Sequence, residues 1–188
     1  MGISSTSYLL SLSDNQLAGS IPVALGNLSQ LQVLALDGNQ LTGSIPVELG
    51  TLTEMSQMFL AGNQLSGPIP PEFGNLTQLI RLILNDNELS GPIPTQLGNL
   101  TALDRLFLQR NRLSGIVPLA VAQVGIGATL CFMEDNSNLY IPATDEYQLL
   151  GDDARGVVHL LTATPPRTAS SSSPRANPPS PPTPYRPG

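Results

Sequence analysis

The chain has 188 residues, enough for one domain with a sizeable core, and is 40% hydrophobic but only 4% aromatic, with no tryptophan. Leucine must therefore supply most of the burial. A net charge of −6, with eight arginines and no lysine, argues against a nucleic-acid partner. No apolar run reaches the length of a membrane span. The single cysteine, Cys131, excludes an internal disulfide framework and leaves the compartment open.

The opening "MGISSTSYLLSLSDN" lacks the basic n-region of a secretory signal, and its "YLL" is accounted for by the repeat that follows. Met1 and Gly2 with Thr6 fit a myristoylation pattern, which a chance start also produces.

From Ser7 onward the chain repeats every 24 residues. Asn15, Asn39, Asn63, Asn87 and Asn111 mark the register, and around each the chain spells L-x-x-L-x-L-x-x-N-x-L-x-G-x-I-P-x-x-L-G-x-L-x-x. Residues 1–126 hold five copies, at 7–30, 31–54, 55–78, 79–102 and 103–126, with mild exchanges such as Met55, Met58, Phe73 and Val117. A period of this length implies an α/β repeat solenoid, each unit burying its apolar side only against its neighbours. The L-x-L segments become short parallel strands about 4.8 Å apart with leucines inward. Each Asn, placed where the backbone turns, can bond backbone groups of its own and the adjacent coil. The Gly of each "SG" or "TG" pair suits a bend at positive φ. The following Ile-Pro leads extended chain into a helical turn on the back. All of these residues read as architecture.

"LTGSIPVELGTL", "LSGPIPPEFGNL" and "LSGPIPTQLGNL" closely resemble the plant-type leucine-rich repeat, with its 24-residue unit and Gly-x-Ile-Pro signature. The resemblance covers nearly two thirds of the chain. It implies a right-handed superhelix with parallel strands on a concave face and 3-10 or irregular turns on the convex one. For function it is broad, since the family includes receptor ectodomains, wall-associated inhibitors and scaffolds. Family members usually carry a cysteine-paired cap before the first repeat; here six residues precede it and Ser7 replaces its first leucine. The expectation is a fragment of a longer receptor-like or secreted protein, or an uncapped N-terminal edge through which the chain associates.

Residues 127–153 read as a degenerate sixth repeat and C-terminal cap. Leu130 and Phe132 take the inward strand positions and Asp135 falls where Asn is expected. Thr144, Asp145, Glu146 and Gly151 then suit the start and end of a short acidic helix. Residues 154–164 connect this cap to 165–188, which has nine prolines in 24 residues and is expected to be a disordered tail. Within it Arg175, Pro178 and Pro181 match a basic-x-x-Pro-x-x-Pro ligand, a pattern common in any proline-rich linker.

Catalytic chemistry finds little support. His159 and Cys131 lie in different segments with no motif linking them, and zinc ligands cannot be assembled from one of each. Asp145, Glu146, Asp152 and Asp153 lack the alternating spacing of a calcium loop. No phosphate loop is present. The chain is read as non-enzymatic, with no metal and no cofactor. Asn27, Asn75 and Asn99 are N-glycosylation sequons at one repeat position, held by Thr51 in the second copy. The repeat consensus generates them automatically, and modification requires secretion.

The outward strand positions carry the functional expectation. Between the inward leucines stand Ser11, Ala35, Phe59, Ile83, Phe107 and Cys131; two positions earlier run Leu9, Val33, Gln57, Arg81 and Arg105. Phe59, Ile83 and Phe107 should form a contiguous outward ridge flanked by Arg81 and Arg105, with Arg110 just beyond the strand. Strand propensity and cross-strand stacking alone also produce such a row. An apolar strip with an arginine rim also fits an extended peptide or protein loop carrying apolar and acidic groups. The leading expectation is a protein- or peptide-binding module similar to part of a receptor ectodomain. The alternatives are a secreted structural or inhibitor protein and an intracellular scaffold. Localisation follows the choice: extracellular or cell-surface for a piece of a secreted chain, cytoplasmic otherwise.

Overall fold

The computed structural model describes residues 8–124, 129–131, 135–136 and 138–142. Several sequence expectations lie outside those residues: the myristoylation pattern at Met1–Thr6, the inward Phe132, the cap helix at Thr144–Asp153, the connector with His159, and the proline-rich tail.

Two parallel sheets run the length of the solenoid. The first is built from the L-x-L segments: Tyr8–Ser11, Leu31–Ala35, Gln57–Phe59, Arg81–Ile83, Arg105–Phe107 and Thr129–Cys131, each hydrogen-bonded to the next in sequence. Their pairing follows the repeat, for example Met58 opposite Leu82 and Leu82 opposite Leu106. The sixth strand, Thr129–Cys131, pairs with Arg105–Phe107 in the same register.

A second sheet, which the side-chain pattern does not announce, lies beside the first. It joins Ala18–Ser20, Gln40–Ser44, Gln64–Gly67, Glu88–Gly91, Arg112–Ile116 and Asn138–Tyr140, the stretches that follow each ladder asparagine. Glycine and proline make these segments poor strands in isolation. Stacking sets each beside its own copy, and the ladder then satisfies backbone groups that would otherwise be orphaned. Its register differs from that of the first sheet. Thr42 pairs with Gln64 and Ser66 with Glu88, an offset of two residues from the repeat.

The coil closes through a 3-10 turn at Val23–Asn27, Val47–Thr51, Pro71–Asn75 and Thr95–Asn99, and through a single α-helical turn at Leu119–Ala122. Each is preceded by a proline in extended conformation: Pro22, Pro46, Pro70, Pro94 and Pro118, with φ between −61° and −67°. Proline fits there because its fixed φ and missing N–H suit the entrance to a helical turn.

Between sheets and turns lies one continuous core. From each central coil it takes the inward strand leucines or methionines, the leucine after the asparagine, the isoleucine before the proline, and two apolar residues of the turn. In the third coil these are Met55, Met58, Leu60, Leu65, Ile69, Phe73 and Leu76, all at most 1% exposed. Burial fades at the first coil, where Leu12, Leu17 and Leu28 are about two-fifths exposed.

The corner between the sheets is held by the asparagines. Nδ2 of Asn63 donates to the carbonyl oxygens of Leu60 and Ala61 in its own coil, and of Leu36 in the preceding one, at 3.0–3.2 Å. Its Oδ1 accepts from the Leu41 N–H at 3.0 Å. Asn39, Asn87 and Asn111 repeat this set, while Asn15, at the exposed end, donates only within its own coil. The residue before each asparagine is left-handed: Asp14, Gly38, Gly62, Asp86, Arg110 and Asp135, with φ between 53° and 65°. This places the sixth-coil expectation one residue off. Asp135 is the left-handed residue, and the ladder continues through Asn136, whose Nδ2 donates to the Leu108 carbonyl and whose Oδ1 accepts from the Leu113 N–H. One extra residue between Asn111 and Asn136 accounts for the shift.

Candidate functional site

The outer side of the first sheet carries two rows fixed by strand pairing. In one row Ala35 is opposite Phe59, Phe59 opposite Ile83, Ile83 opposite Phe107, and Phe107 opposite Cys131. Neighbouring strands are about 4.8 Å apart, so Phe59, Ile83 and Phe107 stand side by side. All three are half-buried, each shielded in part by its neighbours, while Ala35 is buried. In the other row Leu9, Val33, Gln57, Arg81 and Arg105 are paired in succession. The structure thus gathers five of the six candidate contact residues on adjoining strands.

The charged members differ in what surrounds them. Arg81 reaches the neutral Gln57 Oε1 at 3.3 Å, and its Nε is buried with no hydrogen-bond acceptor. Arg105 has an ion pair with Asp104 at 3.6 Å, both side chains about half exposed. Arg110 lies apart from this row, at the corner. Its Nη1 meets Asp86 at 3.3 Å and its Nε meets Asp135 at 3.7 Å, so carboxylates of the coils before and after already engage it. Two further polar atoms on this side, Asn85 Oδ1 and Gln109 Oε1, are buried without partners.

Residues that the functional expectation passed over also lie on this side. Leu9 and Val33 extend the second row as an apolar stretch, with Leu9 60% exposed. Their alternation with inward leucines was a sufficient signal. A recess of mixed lining, formed by Tyr8, Leu9 and Leu10 on one side and residues 27–31 on the other, opens at the first coil, away from the phenylalanines.

The sequon asparagines Asn27, Asn75 and Asn99 all end their 3-10 turns and are exposed, as are Ser29, Thr77 and Thr101. At the equivalent place Thr51 turns its hydroxyl back to the Glu48 and Gly26 carbonyls at 2.7 and 3.0 Å. Among the described residues no group of three or more His, Cys, Asp or Glu could hold a metal ion. Among them, too, no helix is long and apolar enough to cross a membrane.

A family model described as Leucine Rich Repeat matches residues 8–28, 30–52, 55–76 and 78–100. No curated protein matches the sequence. Solved structures do. The ectodomain of the receptor kinase SOBIR1 from Arabidopsis thaliana is 32% identical with a TM-score of 0.66; the match covers 71% of this chain and 73% of that one. The BIR3–SERK2 complex from Arabidopsis thaliana gives 40% identity and a TM-score of 0.59, over 71% of this chain and 66% of that one. The Arabidopsis receptor kinase HAESA, in complex with the peptide hormone IDA and the co-receptor SERK1, gives 36% identity and a TM-score of 0.64. There the match covers 70% of this chain and only 22% of that one.

Proposed function

The chain belongs to the plant-type leucine-rich-repeat proteins, and on that premise we propose that it is a non-catalytic module that binds a peptide or protein partner on the outer side of its first sheet. The observation that carries this reading is the in-register row Phe59–Ile83–Phe107 with Arg81 and Arg105 in the row beside it. Aromatic and arginine side chains dominate binding energy where they occur together at a surface, because each gives large contact area or fixed hydrogen-bond geometry with little conformational freedom to lose. A similar structure points the same way: HAESA was solved with the peptide hormone IDA.

In this role Phe59, Ile83 and Phe107 contribute apolar contact, and Arg81 and Arg105 hold carboxylates. Arg110, engaged by Asp86 and Asp135, acts at the margin and must exchange those partners to meet a ligand. Pull-down from an extract of the source tissue, comparing the native chain with Phe107→Ala plus Arg105→Ala, tests the face. Specific partners should be lost by about tenfold or more, since paired hot spots typically cost above 1 kcal/mol each. Undiminished capture by the double variant would place the binding site elsewhere. That result would favour the alternatives, a secreted structural or inhibitor protein or an intracellular scaffold.

A further inference from the structure

The row beside the phenylalanines changes character along the solenoid. Leu9 and Val33 are aliphatic, Gln57 is neutral, and Arg81 and Arg105 are cationic, with strand pairing holding all five in line. At the cationic end two guanidinium-bearing residues stand directly opposite each other, an arrangement that destabilises a sheet. Little in the described chain offsets it. No carboxylate among the described residues lies within ion-pair distance of Arg81, whose named partner is the uncharged Gln57 and whose Nε is buried and unbonded. The one ion pair of Arg105, with Asp104, is long and half exposed, hence weak. At the other end Leu9 leaves 60% of its surface in water.

A ligand that relieves both ends must be polar in the same sense as the row. Resting on the reading that this side of the first sheet is where a partner docks, we infer that the partner is an extended peptide lying across the strands, with an aspartate or glutamate side chain between Arg81 and Arg105 and an aliphatic side chain against Val33 that also covers its strand neighbour Leu9. Guanidinium–carboxylate geometry suits a site where Arg81 and Arg105 stand on neighbouring strands. The spacing follows from the sheet. Strands about 4.8 Å apart put Val33 roughly 12 Å from the middle of the arginine pair, which extended chain at about 3.3 Å per residue covers in about four residues.

Selection of random heptapeptides displayed on phage against the full chain, followed by calorimetric titration of synthetic copies, tests this. The selected peptides should carry an acidic residue three to five positions from an aliphatic one, and raising the salt concentration should weaken their binding. Arg81→Gln with Arg105→Gln should lower affinity by about tenfold or more, the scale expected when one side of a close charge pair is removed. Arg81→Lys with Arg105→Lys should retain part of it. If the Gln pair fails to give a native far-UV circular dichroism spectrum, the Lys pair and the salt dependence carry the test. Peptides that need Phe107 but lack an acidic residue, or bind equally to the Gln pair, would overturn the inference and leave the docking face standing. The same holds for peptides whose acidic and aliphatic residues are adjacent. Peptides indifferent to Phe107→Ala, or no enrichment at all, would sink both.

Discussion

Asn63 shows how much depends on one carboxamide. It satisfies three carbonyl oxygens and one N–H at a buried corner, and no other neutral side chain of its size offers two donors and an acceptor together. Asn63→Ala should therefore cost about 1–3 kcal/mol in urea unfolding, the loss expected for buried backbone groups left unpaired. Asn63→Asp should cost more, because a carboxylate keeps the bond to the Leu41 N–H but faces three carbonyls with no proton to donate. Asn15→Ala should stay within about 0.5 kcal/mol, since its carboxamide is exposed and bonds only its own coil. Equal losses at Asn15 and Asn63 would show that the corner bonds are not what the asparagines contribute. The exposed pairs of Arg110 with Asp86 and Asp135 belong to a weaker class, and Arg110→Ala should shift stability by less than about 1 kcal/mol.

At the scale of the elements, coil stacking is limited by backbone approach on the turn side. A Cβ placed on Gly50 would meet Glu72 Cβ at 2.5 Å and the Glu72 carbonyl oxygen at 2.8 Å. The neighbouring turn can yield only by moving away, so Gly50→Ala should lower stability by about 1–3 kcal/mol, visible as a lower thermal midpoint. Legibility in the sequence divides along the same lines. The first sheet, the proline-led turns and the leucine core follow from a side-chain pattern repeated without interruption, and a sequence displays side-chain patterns directly. The second sheet was hidden because its pairing depends on backbone groups brought together by stacking, in segments whose glycine and proline argue against a strand. The left-handed residue before each asparagine was half hidden. Gly38 and Gly62 advertise it, the aspartates tolerate it, and Arg110 gives no sign of it. Asn136 escapes a strict 24-residue period, because one inserted residue moves the ladder on from Asp135. Of the candidate contacts, the alignment of Phe59, Ile83 and Phe107 was readable from spacing. The capture of Arg110 by carboxylates on two other coils depends on side-chain conformation, which spacing does not encode.

For the molecule as a whole, stability is a sum over neighbouring coils rather than a property of one closed core. A central truncation such as Leu82→Ala removes a fully buried side chain and should cost about 2–5 kcal/mol. Leu12→Ala in the first coil should cost less than half as much, since Leu12 is 39% exposed. Amide hydrogen exchange should show the same gradient, with protection highest in the strands around Met58 and Leu82 and falling toward Tyr8–Ser11. Uniform protection across the coils would contradict a nearest-neighbour account.

The mismatch in register between the two sheets has a geometric outcome. Level pairing on one side and a two-residue slip on the other mean that lines drawn through equivalent residues run straight across the first sheet and aslant across the second. A ligand that crosses the strands of the first sheet therefore meets the same repeat position from coil to coil, whereas one crossing the second meets a shifted position at each step. Lengthening the array by whole units would extend the usable track, so reach from coil to coil can grow by duplication while the footprint on each coil stays the same.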